Sequence, residues 1–126
     1  MGGKQGAGPL NSILVEFVNQ GLFDNAFIAD ENGLPLICAG ANMASSETQA
    51  AVFARINKTV AMVDAQKGLG VVDEMVFNIS DKKKIVCRNF DINKKHLILA
   101  ITMDSHRRYK RLTGSLVHQL QSIWDL

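Results

Sequence analysis

Side chains able to do chemistry are sparse in this chain. Its three histidines, His96, His106 and His118, stand apart, and none has a second His, a Cys or a carboxylate at the spacing of a metal site. His118 falls off the apolar stripe of its helix and reads as solvated. The two cysteines, Cys38 and Cys87, lie inside apolar runs with no Cys-x-x-Cys spacing. They read as buried free thiols of a reducing cytoplasm rather than as a disulfide, a redox pair or a nucleophile. The stretch Lys67-Gly68-Leu69-Gly70 has the composition of a phosphate loop. Such a loop follows a strand and opens a helix, whereas this one follows a helix and opens a strand. No catalytic, cofactor-binding or metal-binding residue is assigned, and the chain reads as a non-enzyme.

Two basic clusters remain. Lys82, Lys83 and Lys84 fall in a turn between strands, where solvated lysines are ordinary and guard sheet edges. His106, Arg107, Arg108, Lys110 and Arg111 crowd what reads as the first turns of the last helix. Cations there oppose the helix dipole at about 0.3–1 kcal/mol each. A placement that costs the helix fits a contact with an acidic partner, and Arg107, Arg108 and Arg111 are the candidate partner-contact residues. Nucleic acid is not expected. The net charge is only +2, and Tyr109 alone is too little aromatic surface among the basic residues.

Composition bounds the rest. Hydrophobic residues make up 47% of the chain and charged residues 21%, an ordinary globular balance. A chain of 126 residues buries roughly two thirds of its unfolded surface, so it folds without disulfides or metal. No run approaches the ~18 consecutive apolar residues of a membrane helix, so membrane insertion is not expected. Met1–Pro9 is Gly-rich, lacks the apolar core of a signal peptide, and has Gly6 where myristoylation needs Ser or Thr. Residues 1–9 read as a flexible tail, residues 10–126 as the domain, and the location as cytoplasmic.

The elements that position these residues follow from periodicity. Asn11 or Ser12 caps a short helix whose apolar face holds Ile13, Leu14, Phe17 and Val18, and Gly21 ends it. Phe23–Asp30 and Leu34–Gly40 read as strands joined at Asn32-Gly33 by a type I′ hairpin turn. Pro35 has no N–H for a ladder and puts the second strand at a sheet edge. Ser46 and Gln49 form a capping box for a long helix of about Glu47–Lys67. Strands follow at Val71–Ile79, Lys84–Ile92 and His96–Met103, the last apolar on both faces and therefore central. Asp104 or Ser105 caps the final helix, whose buried stripe is Tyr109, Leu112, Leu116, Leu120 and Ile123. The order is α-β-β-α-β-β-β-α. That is an α/β (α+β) chain with five antiparallel strands and helices on both faces.

The long helix carries two stripes. Val52, Phe53, Ile56, Val60 and Val63 are bulky and suit a sheet, while Ala50, Ala54, Ala61 and Ala65 form a narrower line of small side chains. Asn57 and Asp64 lie between them. A helix with one buried face needs only the first stripe. The second admits close approach of another helix, and two copies about a two-fold axis would supply it. The neighbouring strand would then pair with its own mate and close an exposed edge. The expected homodimer interface is Ala50, Ala54, Asn57, Ala61, Asp64 and Ala65 of the helix with Val72, Glu74 and Val76 of the strand.

The block Asp24-Asn25-Ala26-Phe27-Ile28-Ala29-Asp30-Glu31-Asn32-Gly33-Leu34-Pro35-Leu36 resembles the acidic hairpin of the Roadblock/dynein light chain family. The small-residue loop Ala39-Gly40-Ala41, the alanine-rich helix and the strand–strand–strand–helix ending match as well, over about Leu10–Trp124. The resemblance implies the long helix on one face of a five-stranded sheet and the terminal helices on the other. It also implies dimers that join the long helices and the third strands. Members serve as dimeric platforms. Some bind small Ras-like GTPases and regulate their nucleotide state, as in bacterial gliding and polarity systems. Others scaffold lysosomal signalling complexes or bridge dynein intermediate chains to cargo. The expected function is a non-enzymatic homodimeric regulator of a small Ras-like GTPase, without cofactor. The alternatives are a dynein-type or signalling-complex adaptor light chain and a profilin-like ligand-sensing module. The almost wholly aliphatic core speaks against the last.

Overall fold

A computed structural model describes residues 2–40, 46–67, 72–79 and 82–124, with side chains over 8–40, 48–62, 72–79 and 82–123. The elements are α1 (Gly2–Asn19), β1 (Asn25–Asp30), β2 (Pro35–Gly40), α2 (Ser46–Lys67), β3 (Glu74–Ile79), β4 (Lys83–Ile92), β5 (Lys95–Asp104) and α3 (Lys110–Trp124). The order is the expected one. The five strands form one antiparallel sheet, β2-β1-β5-β4-β3. β5 is central, as its doubly apolar run requires, and the Pro35 strand is at an edge.

Alternation divides the strands between two cores. Ala26 and Ile28, Val86, Phe90 and Ile92, and Leu97, Leu99, Ile101 and Met103 face α1 and α3, where they meet Leu10, Leu14, Phe17, Leu116 and Leu120. Phe27, Ala29, Ile85, Cys87 and Ala100 face α2 and meet Ala50 and Phe53. The long helix thus covers one face and the terminal helices the other. Phe53 stacks between Phe27 and Phe77, at ring-centroid distances of 6.2 and 5.5 Å. That sandwich ties α2 to β1 and to the outer strand β3.

Three local expectations need correction. The Asn32-Gly33 hairpin is not type I′, because only Gly33 has positive φ. Asp30 instead closes a wider loop. Its backbone O accepts from Gly33 N at 3.0 Å, and its Oδ1 accepts from Asn32 N and Leu34 N at 2.9 Å each. This is a type I turn followed by a left-handed glycine, which the aspartate stabilises. The two-residue turn with positive φ at both positions lies at Asn93-Lys94, between the paired residues Ile92 and Lys95. The first helix starts at Gly2 rather than at Asn11 or Ser12 and contains Pro9. Proline's φ is helical but it has no N–H for the carbonyl four residues back, and Leu10, the first described residue of the helix that is buried, at 1% exposure, follows it directly. Its far end is as expected: Gly21 N donates to Val18 O and Leu22 N to Phe17 O, a Schellman closure.

The last helix begins later than expected, at Lys110. Asp104 cannot cap it, because its carboxylate binds Lys83 Nζ at 2.7 Å. Ser105 N donates to Lys82 O and Arg107 N to Asp104 O, so this stretch folds into a turn. Thr113 N donates to Tyr109 O, the first bond of the helix. His106, Arg107 and Arg108 therefore precede the helix, and only Lys110 and Arg111 meet its dipole.

Candidate interaction surfaces

Burial quenches one of the groups with reactive potential. Cys87 is 2% exposed, and burial pushes its thiol up to about 12, so it stays protonated. Cys38 and Cys87 are both free thiols. His96 Nδ1 lies 2.9 Å from Asp91 Oδ1 on an exposed hairpin, and His118 is exposed. No group of three His, Cys, Asp or Glu side chains among the described residues could hold a metal ion. No described helix is long and apolar enough to cross a membrane.

The alanine line of α2 is used differently from the expectation. Ala50 and Ala54 are buried at 0% and 3% exposure within the chain. A Cβ on Gly33 would stand 2.9 Å from Ala51 Cα, 3.0 Å from Ala50 O and 3.2 Å from Ala54 Cβ. The small side chains let the helix lie directly on the β1–β2 turn. The bulky stripe is rotated outward in return. Phe53 is buried, Ile56 and Val60 are half-buried, and Val52 is exposed at 47%. Val52, Ile56 and Val60, one turn apart, line a shallow groove of about 440 Å³ with Arg55 and Thr59.

The other residues of the expected interface divide as follows. Ala61 and Val76 are exposed, and Asn57, Val72 and Glu74 are half-buried. Asn57 Nδ2 donates to Asn89 Oδ1 at 2.7 Å, and Asn89 Nδ2 donates to Val72 O at 3.1 Å. That bridge pins α2 to β4 and to the entry of β3. Glu74 Oε2 stands 3.8 Å from Arg88 Nη1 without a hydrogen bond. The side chains of Asp64 and Ala65, like Gly68-Leu69-Gly70, lie outside the described residues. Around the helix, Ala50 and Ala54 point to the β1–β2 turn and Phe53 to Phe77. The row at Val52, Ile56 and Val60 therefore lies on the β3 side.

The second surface is basic. Lys84 is not a solvated turn lysine, since strand alternation carries it inward to 7% exposure. Its Nζ donates to Arg107 O at 2.6 Å and sits 4.9 Å above the centre of the Tyr109 ring. The cation thus holds the 105–109 turn against the sheet. Between that turn, the first turn of α3 and Leu22 opens a groove of about 910 Å³. Arg107, Arg108 and Arg111, the three arginines read as a partner contact, line it together. Sequence reading grouped Lys84 with the turn lysines, although it shares the parity of Val86, Phe90 and Ile92, which face the core.

No protein-family model matches the sequence, and no curated protein does. Solved structures match along nearly the whole chain. MglB of Myxococcus xanthus is 14% identical, with a TM-score of 0.77 over 94% of this chain and 90% of that one. The gliding protein mglB of Thermus thermophilus is 17% identical, with a TM-score of 0.72 over 95% and 91%. A Roadblock/LC7 domain of Streptomyces avermitilis is 13% identical, with a TM-score of 0.66 over 91% of each chain. The chain has the Roadblock/LC7 fold.

Proposed function

We propose that this protein is a homodimeric platform that binds a small Ras-like GTPase and modulates its nucleotide state or location, in the cytoplasm and without catalytic groups of its own. The observation that carries the dimer is the unequal treatment of the two sheet edges. β2 carries Pro35, which interrupts an exposed ladder. β3, Glu-Met-Val-Phe-Asn-Ile, carries neither Pro nor Lys, and exposes Val76 at 38% and Ile79 at 42%. The α2 row of Val52, Ile56 and Val60 lies beside it. An open edge flanked by apolar side chains suits a second copy about a two-fold axis, with α2 against α2 and β3 against β3. Of the sequence-read interface, Val72, Glu74 and Val76 fit this arrangement, while Ala61 lies on the line of Ala50 and Ala54 and Asn57 is bound to Asn89. Ala50 and Ala54 are consumed inside the protomer, and the Val52 row takes their place.

The GTPase partner is supported by the kind of protein this fold is similar to. The GTPase-regulating branch of the resemblance acts in bacterial gliding, and one of the similar structures is a gliding protein. Arg107, Arg108 and Arg111 form a further partner contact on the opposite face.

The dimer is tested by light scattering of the wild type and of Val76→Lys, which sets a charge opposite its own mate across the edge. The wild type is expected at twice the chain mass and Val76→Lys at one. A wild type that stays monomeric at about 100 µM, far above the Kd of a stable interface, overturns the dimer. GTP turnover and pull-down with the small GTPase encoded nearest its gene test the partner. Absence of binding in both nucleotide states overturns that part alone.

A further inference from the structure

We propose that the basic groove beside α3 binds an acidic peptide segment carrying one bulky apolar side chain. This rests on reading Arg107, Arg108 and Arg111 as a partner contact, and not on the partner being a GTPase.

The charge is one-sided. Lys84, Arg107, Arg108, Lys110 and Arg111 line the groove. Among the described residues, none of the five has a carboxylate within ion-pair distance. Two described acids, Asp24 and Asp104, are already engaged, since both hold Lys83 Nζ at 2.7 Å. Lys84 is the decisive member. A lysine at 7% exposure ordinarily has a counter-charge, and among the described residues its ammonium meets a carbonyl and a ring face. The groove is the side from which a carboxylate can reach it.

The shape selects the occupant further. Leu22, Tyr109 and Leu112 supply an apolar floor between the cations. A volume of about 910 Å³ lies within the range of true ligand clefts. A free anion would use the cations and leave the floor wet. A bilayer surface is flat and does not enter a cleft between the 105–109 turn, α3 and Leu22. A single-stranded nucleic acid would need stacking rings, and Tyr109 already covers Lys84. A peptide with carboxylates flanking one Leu or Phe uses both features. The Lys84 anchor also builds the wall in advance, which lowers the ordering cost of binding.

The experiment is fluorescence anisotropy with full-length protein and three labelled peptides of about ten residues. One is Asp/Glu-rich with a central Phe, one has Ser in place of that Phe, and one is Lys-rich. The first is expected to bind saturably and to weaken about tenfold between low and high salt. The Ser peptide should bind severalfold more weakly, and the Lys peptide not at all. Arg108→Glu/Arg111→Glu, two exposed positions, should weaken the first peptide by at least about tenfold without lowering the unfolding midpoint, since Glu at the start of α3 suits the helix dipole better than Arg. No saturable binding of the Phe peptide, or equal affinity of the double variant, overturns the proposal. So does full competition by millimolar inorganic phosphate, or pelleting with anionic phosphatidylglycerol vesicles in place of peptide binding. GTPase pull-down on the same variant separates the two readings. Peptide binding lost with GTPase binding kept leaves the groove intact as a separate site, and the reverse pattern overturns it.

Discussion

Replacing Gly33 with alanine should destabilise the protein by two separable effects. The first is backbone strain: Gly33 has φ +89°, and a side chain there costs about 1–2 kcal/mol. The second is steric. The new Cβ would meet Ala51 Cα at 2.9 Å and Ala50 O at 3.0 Å, both backbone atoms of a helix that cannot yield locally. Forcing a methyl into such a seat costs about 1–3 kcal/mol. The sum, about 2–5 kcal/mol, is a large part of the roughly 5–15 kcal/mol that holds a domain of this size. Gly21→Ala is the internal control. Its φ is +76°, yet nothing lies within 4 Å of its Cβ, so it should show the strain alone. Urea unfolding followed by circular dichroism, at one fixed protein concentration, reads both variants. Gly33→Ala should fall below Gly21→Ala by about 1–3 kcal/mol with an unchanged slope. Equal midpoints would mean that α2 does not rest on the β1–β2 turn. That result would return Ala50 and Ala54 to the surface, where a second helix could use them.

Two further outcomes follow from ionisation. In a Cys38→Ser background, Cys87 at about 12 should resist a thiol reagent at pH 8 and react only once urea unfolds the chain; labelling of the native protein at the rate of free cysteine would refute its burial. Because its folded pKa lies above the reference 9.0, that contribution is whole below pH 9 and fades as pH rises toward 12. The Asp24–Lys83–Asp104 cluster works at both ends of the scale. The Lys83 hydrogen bond holds Asp104 below the usual carboxylate range, so its contribution is present above about pH 4 and lost as acid protonates it. The Asp104 and Asp24 hydrogen bonds raise Lys83 above 10.5, so its share is lost as pH climbs through the raised value. Asp104→Asn should flatten the acid limb of the unfolding midpoint against pH, and an unchanged limb would remove the cluster from the account.

Periodicity read the fold well where one physical requirement dominates. β5 needs apolar residues on both faces because two layers cover it, and Leu97-Ile98-Leu99-Ala100-Ile101 has no other use. Pro35 marks an edge because it lacks a donor. Side-chain competition for backbone groups is harder to see. Asp30 takes two backbone N–H groups and overrides the Asn-Gly preference, while the paired positive φ angles fall to Asn93 and Lys94, which carry no glycine. The capping role expected of Asp104 is lost to a lysine twenty-one residues away in sequence. The alanine line was legible as a close approach, but not its partner. Small residues on a helix record that a backbone comes near, and nothing in their spacing says whether it belongs to the same chain. Gly33 is the other half of that contact, and an Asn-Gly pair in sequence points to a turn alone.

The two surfaces are compatible for a geometric reason. If β3 meets its mate antiparallel, the two-fold axis runs normal to a continuous sheet. Both α2 helices then share one face and both basic grooves the other. A partner seated on the α2 pair leaves the grooves open, and peptide in the grooves leaves the α2 face open. The pairing also makes the grooves bivalent. A partner carrying two acidic segments on a linker that spans them gains effective concentration with no new contact, whereas a single segment gains nothing from the dimer. This asymmetry fits a platform that joins two different proteins. If the groove is a partner contact, the carboxylates opposing its five cations, which have none within ion-pair distance among the described residues, belong to that partner.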